Sequence, residues 1–330
     1  MPGDLKGLAT RQGIEVSPAR FEADVEKLNR ALVSILEQRR SHDAAEAEAA
    51  LRAEEERRAA AAERTAREER ERREAAEAAQ AEEVRGYKLA ADQGDAYGQL
   101  NLAFSYQHGR GGLAKDERKA ARLYKLSAAQ GNNGAQVHLG VLYEHGRGGL
   151  PKDDREAARL YKLSADQGNT WAQVYLGTFY ATGYGGLLKN DREAARLFKL
   201  SAEQGNGCGQ ANLGIFYENG RGGLPRDERE AAHLYKLAAD QGDALAQANL
   251  GLLYEQGRGG LLKDAHEAAR LYKLAADNGN AWGQAYLGDF FEFQRGGLKR
   301  DVRQAIRLYR LAAKQGNDWA RSALKRLRVD

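Results

Sequence analysis

The sequence contains very little cysteine or proline and no long apolar run, and these absences exclude several kinds of protein. Cys208 is the single cysteine among 330 residues, which excludes an intramolecular disulfide framework and a zinc site made of several cysteines. No stretch reaches the roughly eighteen apolar residues that cross a bilayer. The opening residues MPGDLKGLATRQGIEV lack the apolar core of a secretory signal. We therefore expect a cytoplasmic protein without a membrane partner.

Glycine, by contrast, is abundant, with 38 residues, and many of these glycines recur at the fixed spacing of an internal repeat. An aromatic residue in surroundings such as RLYKLSA recurs every 37 positions, as from Tyr87 to Tyr124. The series is Tyr87, Tyr124, Tyr161, Phe198, Tyr235, Tyr272 and Tyr309. Residues 86–330 therefore contain about six and a half copies of one unit, a period that is typical of solenoids and related arrays.

Each repeat predicts two helices joined by a glycine-rich turn. In the second repeat, helix A covers AQVHLGVLYEHG, and helix B begins at Asp153 and ends near Gly168. Asp153 and Glu156 form a capping-box pattern, in which each side chain bonds a backbone N–H group of the other residue. The Gln-Gly pair that closes helix B supplies a residue that tolerates positive φ. The stripe expected to face the core is Ala157, Leu160, Tyr161 and Ser164.

Glycine also occurs in the interior of helix A in five repeats, although it costs about 1 kcal/mol there relative to alanine. Its recurrence predicts that the backbone of a neighbouring helix approaches closely. The positions are Gly140, Gly177, Gly214, Gly251 and Gly288. One hairpin cannot bury its apolar face alone, whereas stacked hairpins form a continuous core. We therefore predict an all-α solenoid.

The repeated pattern also resembles a known family. Leu-Gly-x-x-Tyr-x-x-Gly-x-Gly, then Asp, then Ala-Ala-x-x-Tyr-x-x-x-Ala-x-Gln-Gly, is similar to the Sel-one-like repeat, a relative of the tetratricopeptide repeat. The resemblance covers residues 86–330 and implies a right-handed α/α superhelix of about six and a half 37-residue repeats. It also implies a non-enzymatic scaffold that binds a protein or peptide in bacterial signalling, without cofactors, metals or catalytic residues.

Comparison of the repeats identifies a variable stripe on helix A. In the first repeat Tyr97, Asn101, Phe104 and His108 lie on one helical face. All three tryptophans of the protein occupy the register of Tyr97 in later repeats. We hypothesise that the stripe lines a concave surface and binds a partner through Tyr97, Phe104, His138, Trp171, Tyr175, Trp282, Tyr286 and Trp319. The alternative is that the tryptophans pack against the loop of the adjacent repeat.

Other signals favour structural roles. The loop arginines make one edge basic, but Tyr184 interrupts the series, and a net charge of +4 does not favour nucleic acid as a partner. His138 and His145 share a helical side without carboxylate or cysteine ligands at metal-binding spacing. Cys208 has no histidine at a fixed distance that would activate it as a nucleophile.

The N-terminal part has a different composition. Residues 41–85 are rich in Ala, Glu and Arg and predict a long solvated helical linker, supported by pairs such as Glu63 with Arg67 and Glu68 with Arg72. Before it, Ser17 and Pro18 open a second helical pattern. Its apolar residues follow a 4-3-4-3 spacing that is compatible with self-association. They are Phe21, Val25, Leu28, Leu32 and Ile35.

The first 40 residues also resemble the end of a bacterial TIR domain. The resemblance consists of a short strand at Ile14–Val16 followed by the helix FEADVEKLNRALVSIL. It implies that the chain begins inside a TIR domain whose NAD-cleaving glutamate would precede Met1. The alternative function is therefore the C-terminal regulatory or oligomerisation part of a TIR-domain NAD hydrolase.

Overall fold

In the computed structural model, which describes residues 18–329, these residues form fourteen α-helices and no strand. The all-α prediction is therefore confirmed. The strand predicted at Ile14–Val16 lies outside the described residues. Within the described part of the chain, no helix combines the length and hydrophobicity needed to cross a membrane.

After a first long helix, α1 (Pro18–Asp92), two kinds of helix alternate along the chain. The A helices are α2 (Ala96–His108), α4 (Asn133–His145), α6 (Thr170–Thr182), α8 (Gly207–Asn219), α10 (Ala244–Gln256), α12 (Ala281–Glu292) and α14 (Asp318–Arg326). The B helices are α3 (Glu117–Ala129), α5 (Asp154–Asp166), α7 (Asp191–Glu203), α9 (Glu228–Asp240), α11 (Ala265–Asp277) and α13 (Val302–Lys314). Repeat 1 consists of α2 and α3, and repeat 6 of α12 and α13.

Side-chain caps and glycines fix where these helices begin and end. The Asp153 carboxylate accepts hydrogen bonds from the N–H groups of Arg155 and Glu156, at 3.1 and 3.0 Å, as predicted. The predicted reciprocal bond of the capping box, from the Asp153 N–H group to the Glu156 side chain, is wrong. The Glu156 carboxylate instead binds the Arg159 guanidinium, and the Asp153 N–H group donates to the Tyr143 carbonyl at 2.9 Å. Glycines with positive φ follow the helices, as predicted.

The repeats stack so that each A helix packs on its own B helix and each B helix packs on the next A helix. Ala157, Leu160, Tyr161 and Ser164, the predicted inward stripe of α5, are all buried. Neighbouring A helices also contact one another. Examples are α6 with α8 and α10 with α12. This approach is expected of the inner row of helices in a curved solenoid.

The glycines inside the A helices face an aromatic ring rather than a helix backbone, so that part of the prediction is wrong. A Cβ atom on Gly140 would lie 2.6 Å from Cε1 of Tyr161, and one on Gly177 would lie 2.7 Å from Cε1 of Phe198. The recurring ring of helix B therefore lies flat on the A helix where the side chain is missing. Close backbone approach does occur in the loops, because a Cβ atom on Gly148 would lie 2.8 Å from the Glu117 carbonyl oxygen of the preceding repeat.

Amide side chains close each hairpin at its open end. The Gln130 side chain at the end of α3 donates to the buried Gln99 side chain of α2 at 2.9 Å, and Gln167 donates to Gln136 in the same way. The corresponding bond recurs in all six repeats, with Asn278 in place of glutamine in repeat 5. These bonds join the two helices of one repeat, not helices of different repeats.

The long helix α1 is solvent-exposed at every residue from 20 to 80. Its described part starts at Pro18, so the predicted cap at Ser17 lies outside the described residues. Ion pairs four residues apart support it, but they do not include the predicted pairs Glu63–Arg67 and Glu68–Arg72 among the described residues. Arg67 instead binds Glu71, four residues later, at 2.8 Å. Exposed pairs of this kind contribute about 0.3–0.5 kcal/mol each.

Candidate functional site

The variable stripe predicted on the A helices forms a partly exposed surface, which we call the A-helix face. Its first register holds four exposed aromatic side chains. Tyr97 is 69% exposed, Trp171 49%, Trp282 45% and Trp319 48%. Core side chains are largely removed from water, whereas these four rings are not. The four rings therefore retain much of their area for contact with another molecule.

The second register of the stripe is half-buried and packs on the recurring ring of the preceding B helix. His138 stacks on Tyr124 with ring centroids 5.0 Å apart, and Tyr175 stacks on Tyr161 at 4.9 Å. Burial is the main reason that the pKa of His138 is lowered, and His108 lowers it further. The residues of this register thus hold neighbouring repeats together while exposing only part of each ring.

At the C-terminal end of the array, three rings of the A-helix face form a cluster. The Trp282 ring lies 5.5 Å from that of Tyr286, and the Trp319 ring meets Tyr286 edge-on at 6.0 Å. Tyr286 in turn rests on the buried Tyr272 at 5.0 Å. Trp282 and Trp319 thus both contact a ring of the same face, and both stay half exposed.

At the opposite end, Phe104 is half-buried beside two histidines. Its ring lies 4.1 Å from that of His108 and 5.9 Å from that of His138, and the Arg110 guanidinium covers it at 4.8 Å. The predicted site residues are thus brought into one face, but they form separate groups along it rather than one pocket.

Beneath the A-helix face lies a row of hydrogen bonds that the sequence interpretation missed. The buried tyrosine of helix B donates its hydroxyl proton to a side chain of its own A helix, 17 residues earlier in the chain. The distances are 2.6 Å for Tyr124 to Gln107, 2.7 Å for Tyr161 to Glu144, 2.9 Å for Tyr235 to Glu218, 2.7 Å for Tyr272 to Glu255 and 2.9 Å for Tyr309 to Glu292. Burial raises the pKa of these tyrosines well above its usual range.

One repeat lacks both partners of this bond, and this is the signal that could have revealed the pairing. In repeat 3 the tyrosine is replaced by Phe198, and the residue 17 positions earlier is Ala181. The hydroxyl and the carboxylate have thus been lost together. Such joint loss is expected of two groups that bond each other in the interior.

Four of the five loop arginines are engaged with carboxylates of the preceding repeat, which largely neutralises the predicted basic edge. They are Arg147, Arg221, Arg258 and Arg295. Arg258 binds Glu228 at 2.7 Å and Glu218 at 3.2 Å. Arg221 binds Asp191 through two nitrogen atoms, at 2.8 and 3.1 Å. Arg258 lowers the pKa of Glu228 to about 2 by donating hydrogen bonds to its carboxylate, with a smaller contribution from nearby Arg226.

The residues with catalytic or metal-binding chemistry lie in ordinary structural settings. Burial, together with a hydrogen bond to Asp243 at 3.2 Å, raises the pKa of the Cys208 thiol to about 12, which disfavours the reactive thiolate at neutral pH. His145 bonds the Val141 carbonyl through Nδ1 at 2.9 Å. On α1, His42 lies near Asp43 and Glu46, but all three are exposed.

Comparison with known proteins agrees with this architecture. The Sel1 repeat family model matches six segments, residues 96–132, 134–169, 172–206, 209–243, 244–280 and 283–317. These matches do not reach residues 1–40, whose resemblance to a TIR domain stays a prediction from the sequence. No curated protein matched the chain.

Two solved structures are similar over most of the array. A Sel1 repeat protein from Oxalobacter formigenes is 30% identical, with 67% of this chain and 86% of that chain covered and a TM-score of 0.59. The protective antigen c5321 from uropathogenic Escherichia coli, which has an SLR fold, is 32% identical, with 75% of this chain and 52% of that chain covered and a TM-score of 0.54. The chain therefore belongs to the Sel1 repeat family.

Proposed function

We propose that this protein is a non-enzymatic scaffold of bacterial signalling that binds a segment of a partner protein on the A-helix face. Sel1 repeat proteins are generally protein-interaction scaffolds, so the proposal concerns which surface is used and what it recognises. The single observation that carries it is the row of exposed aromatic rings in one register. We further propose that the protein acts in the cytoplasm, where its free thiol Cys208 would stay reduced.

Exposed tryptophan and tyrosine rings favour a binding role on physical grounds. They bury a large area when covered, and they lose few rotatable bonds when they are fixed. Trp282 and Trp319 lie either side of Tyr286 and present two half-exposed rings side by side. An extended segment with apolar side chains would cover both rings at once. We expect this cluster to anchor the partner, because interface energy concentrates in a few such residues.

The test uses peptides selected from a random displayed library on the immobilised full-length chain. The affinity of each selected peptide is then measured for wild type and for the variant Trp282→Ala/Trp319→Ala. We expect a loss of at least about tenfold, since tryptophan anchors commonly contribute about 2 kcal/mol or more. The matched control is Leu126→Ala/Leu163→Ala, which removes two exposed apolar side chains from the B helices.

The melting temperature separates binding from packing. If the tryptophan variant keeps its affinity but melts at a lower temperature, the rings serve packing and the proposal is wrong. Equal losses of affinity in the tryptophan variant and in the leucine control would also contradict it, because the surface would then lack specificity.

We propose in addition that α1 mediates self-association through the residues spaced 4-3-4-3 near its start. Phe21, Val25, Leu28, Leu32 and Ile35 are all exposed along α1. This spacing is the one that two helices bury in a coiled-coil seam. Sedimentation equilibrium should give a mass above that of one chain, and Leu28→Asp/Leu32→Asp should return it to a single chain. The control Leu51→Asp changes an exposed leucine outside the seam, and a monomeric wild type would refute the proposal.

A further inference from the structure

The loop arginines occupy equivalent positions in successive repeats, and their contacts define a recurrent binding place for a guanidinium group. Each arginine reaches back to the preceding repeat. One carboxylate of that place is the first residue of the B helix, 30 positions earlier, as in Arg147 with Glu117, Arg221 with Asp191 and Arg258 with Glu228. The other is the carboxylate of the A helix, 40 positions earlier, as in Arg258 with Glu218 and Arg295 with Glu255.

In repeats 4 and 6 an aromatic ring forms the floor of this place, whereas repeats 2 and 5 have leucine there. The Arg221 guanidinium lies over the Phe216 ring at 4.3 Å, and the Arg295 guanidinium lies over Phe290 at 4.8 Å. A planar cation between a ring face and two carboxylates satisfies both its charge and its hydrogen-bond donors. The position thus suits a guanidinium group, and in other repeats the chain's own arginine fills it with part of this set of partners. Arg221 and Arg295 each have the ring and one of the two carboxylates, whereas Arg258 has both carboxylates without a ring.

In repeat 3 a ring and two carboxylates stand at these positions, but the arginine is absent. Tyr184 stands at the arginine position, and its ring meets the floor residue Phe179 edge-on at 5.2 Å. The residue 40 positions earlier is Glu144, and the residue 30 positions earlier is Asp154. This is the one loop from repeat 2 to repeat 6 in which the arginine has been replaced.

Both carboxylates are left with incomplete partners. Glu144 accepts the Tyr161 hydroxyl proton at 2.7 Å but forms no ion pair among residues 18–329. Asp154 Oδ2 lies 3.6 Å from Lys152 Nζ, which also donates to the Tyr184 hydroxyl at 2.9 Å. Asp154 Oδ1 is buried and has no hydrogen-bond partner. A buried carboxylate oxygen without a partner is costly, so a donor that reaches it would be stabilised.

We propose that the place formed by Glu144, Asp154 and Phe179 receives an arginine side chain of the partner protein. The guanidinium would take the position that Arg258 takes against Glu218 and Glu228 two repeats later. The Tyr184 side chain, which is 40% exposed, would have to leave its contacts with Phe179 and Lys152 to admit it. Glu144 accepts the hydroxyl proton of Tyr161, and Tyr175 stacks on the Tyr161 ring at 4.9 Å, so the place adjoins the A-helix face. This inference rests on the proposed scaffold function and specifies one residue of the partner segment.

The test uses a small probe, N-acetyl-arginine N-methylamide, and the full-length chain. Backbone amide shifts of Asp154 and Gly185 are followed by NMR during titration. We expect saturable shifts with the arginine probe and none with its citrulline analogue, which has the same shape without the charge. Absence of saturable shifts at these amides, or equal shifts with both probes, would overturn the proposal.

Two loss-of-binding variants check the geometry. Tyr184→Arg restores the chain's own arginine and should abolish probe binding while raising the melting temperature. Glu144→Gln keeps an acceptor for the Tyr161 hydroxyl but removes the charge, and it should weaken probe binding about tenfold. Probe binding that survives in both variants would refute the assignment, and the second variant decides if the first fails to fold.

A gain-of-binding variant provides the matched control. Arg258→Tyr vacates the two carboxylates Glu218 and Glu228, which have Leu253 at the position of the ring, so this variant should bind a second equivalent of the arginine probe with new shifts at Glu228. A single site in this variant would contradict the argument from the repeats. Peptide binding that depends on Trp282 and Trp319 is measured separately, so the scaffold function can stand even if the arginine place fails.

Discussion

The tyrosine–glutamate bonds beneath the A-helix face lead to a double-mutant prediction in repeat 3. There Phe198 and Ala181 stand where other repeats have a tyrosine and its acceptor. Phe198 is almost fully buried, so Phe198→Tyr alone introduces a hydroxyl group into the core without an acceptor. We expect this variant to lose about 1–3 kcal/mol of unfolding free energy.

Adding Ala181→Glu should recover most of that loss. The acceptor would then stand as Glu144 does to Tyr161, at a hydroxyl-to-carboxylate distance near 2.7 Å. A hydrogen bond to a charged group contributes about 1.5–3 kcal/mol, which sets the expected coupling energy between the two substitutions. The reverse cycle, with Tyr161→Phe and Glu144→Ala in repeat 2, should give coupling of the same sign and similar size.

The assay combines urea unfolding with amide hydrogen exchange of α7. Exchange is needed because long repeat arrays do not always unfold in one step, and it reports the local opening free energy. A coupling energy below about 0.5 kcal/mol, which is the size expected for independent sites, would refute the reasoning. So would a single Phe198→Tyr variant more stable than wild type.

Three further predictions concern single residues. His138→Tyr should reduce the stability that is lost between pH 7 and 5. Burial lowers the pKa of this histidine, so at a pH below its unfolded value near 6.5 protonation opposes folding. Equal slopes of melting temperature against pH for the variant and wild type would contradict this. Gly140→Ala should destabilise by about 1 kcal/mol in urea, because a methyl group there meets a buried ring. The control Gly86→Ala, with nothing within 4 Å, should stabilise α1 slightly, and stabilisation by both would refute the ring argument. Glu228→Gln should remove about 1 kcal/mol of stability at pH 7 but not at pH 2. Its arginine partners lower the pKa of the carboxyl to about 2, so the stability that the ionised form contributes is lost as the pH falls from about 5 to 2. If the acid titration of stability is the same in the variant as in wild type, this explanation is wrong.

The repeat period made much of the fold predictable from the sequence. About six and a half copies of one pattern fix where helices begin, where glycines end them and which side of α5 is buried, since all three depend on neighbours in the chain. The ring that covers Gly140 belongs to another helix, and its place depends on how far each helix rotates about its axis. Local spacing does not determine that rotation, so the glycine prediction identified a close approach but the wrong atoms.

The same limit applies to the candidate site. Sequence comparison of the repeats placed Trp171 and Trp282 in one register, and the structure leaves both half exposed. The bonds of the loop arginines were not predicted, because their partners lie 30 and 40 residues away in two different helices. The joint replacement of Ala181 and Phe198 was visible in the sequence and would have identified one such contact. Residues 1–40 offer no internal copy, so the same comparison cannot be made there.

The hydrogen bonds between amide side chains that close each hairpin have a consequence for how such a gene can change. Gln130 is bonded to Gln99 within repeat 1, and no bond of this series joins one repeat to another. An in-frame duplication or deletion of 37 codons therefore leaves every one of these bonds intact and only moves the point where two units meet. The number of units can vary by recombination without redesign of any unit, and the span of the protein becomes a quantity that selection can adjust in equal steps.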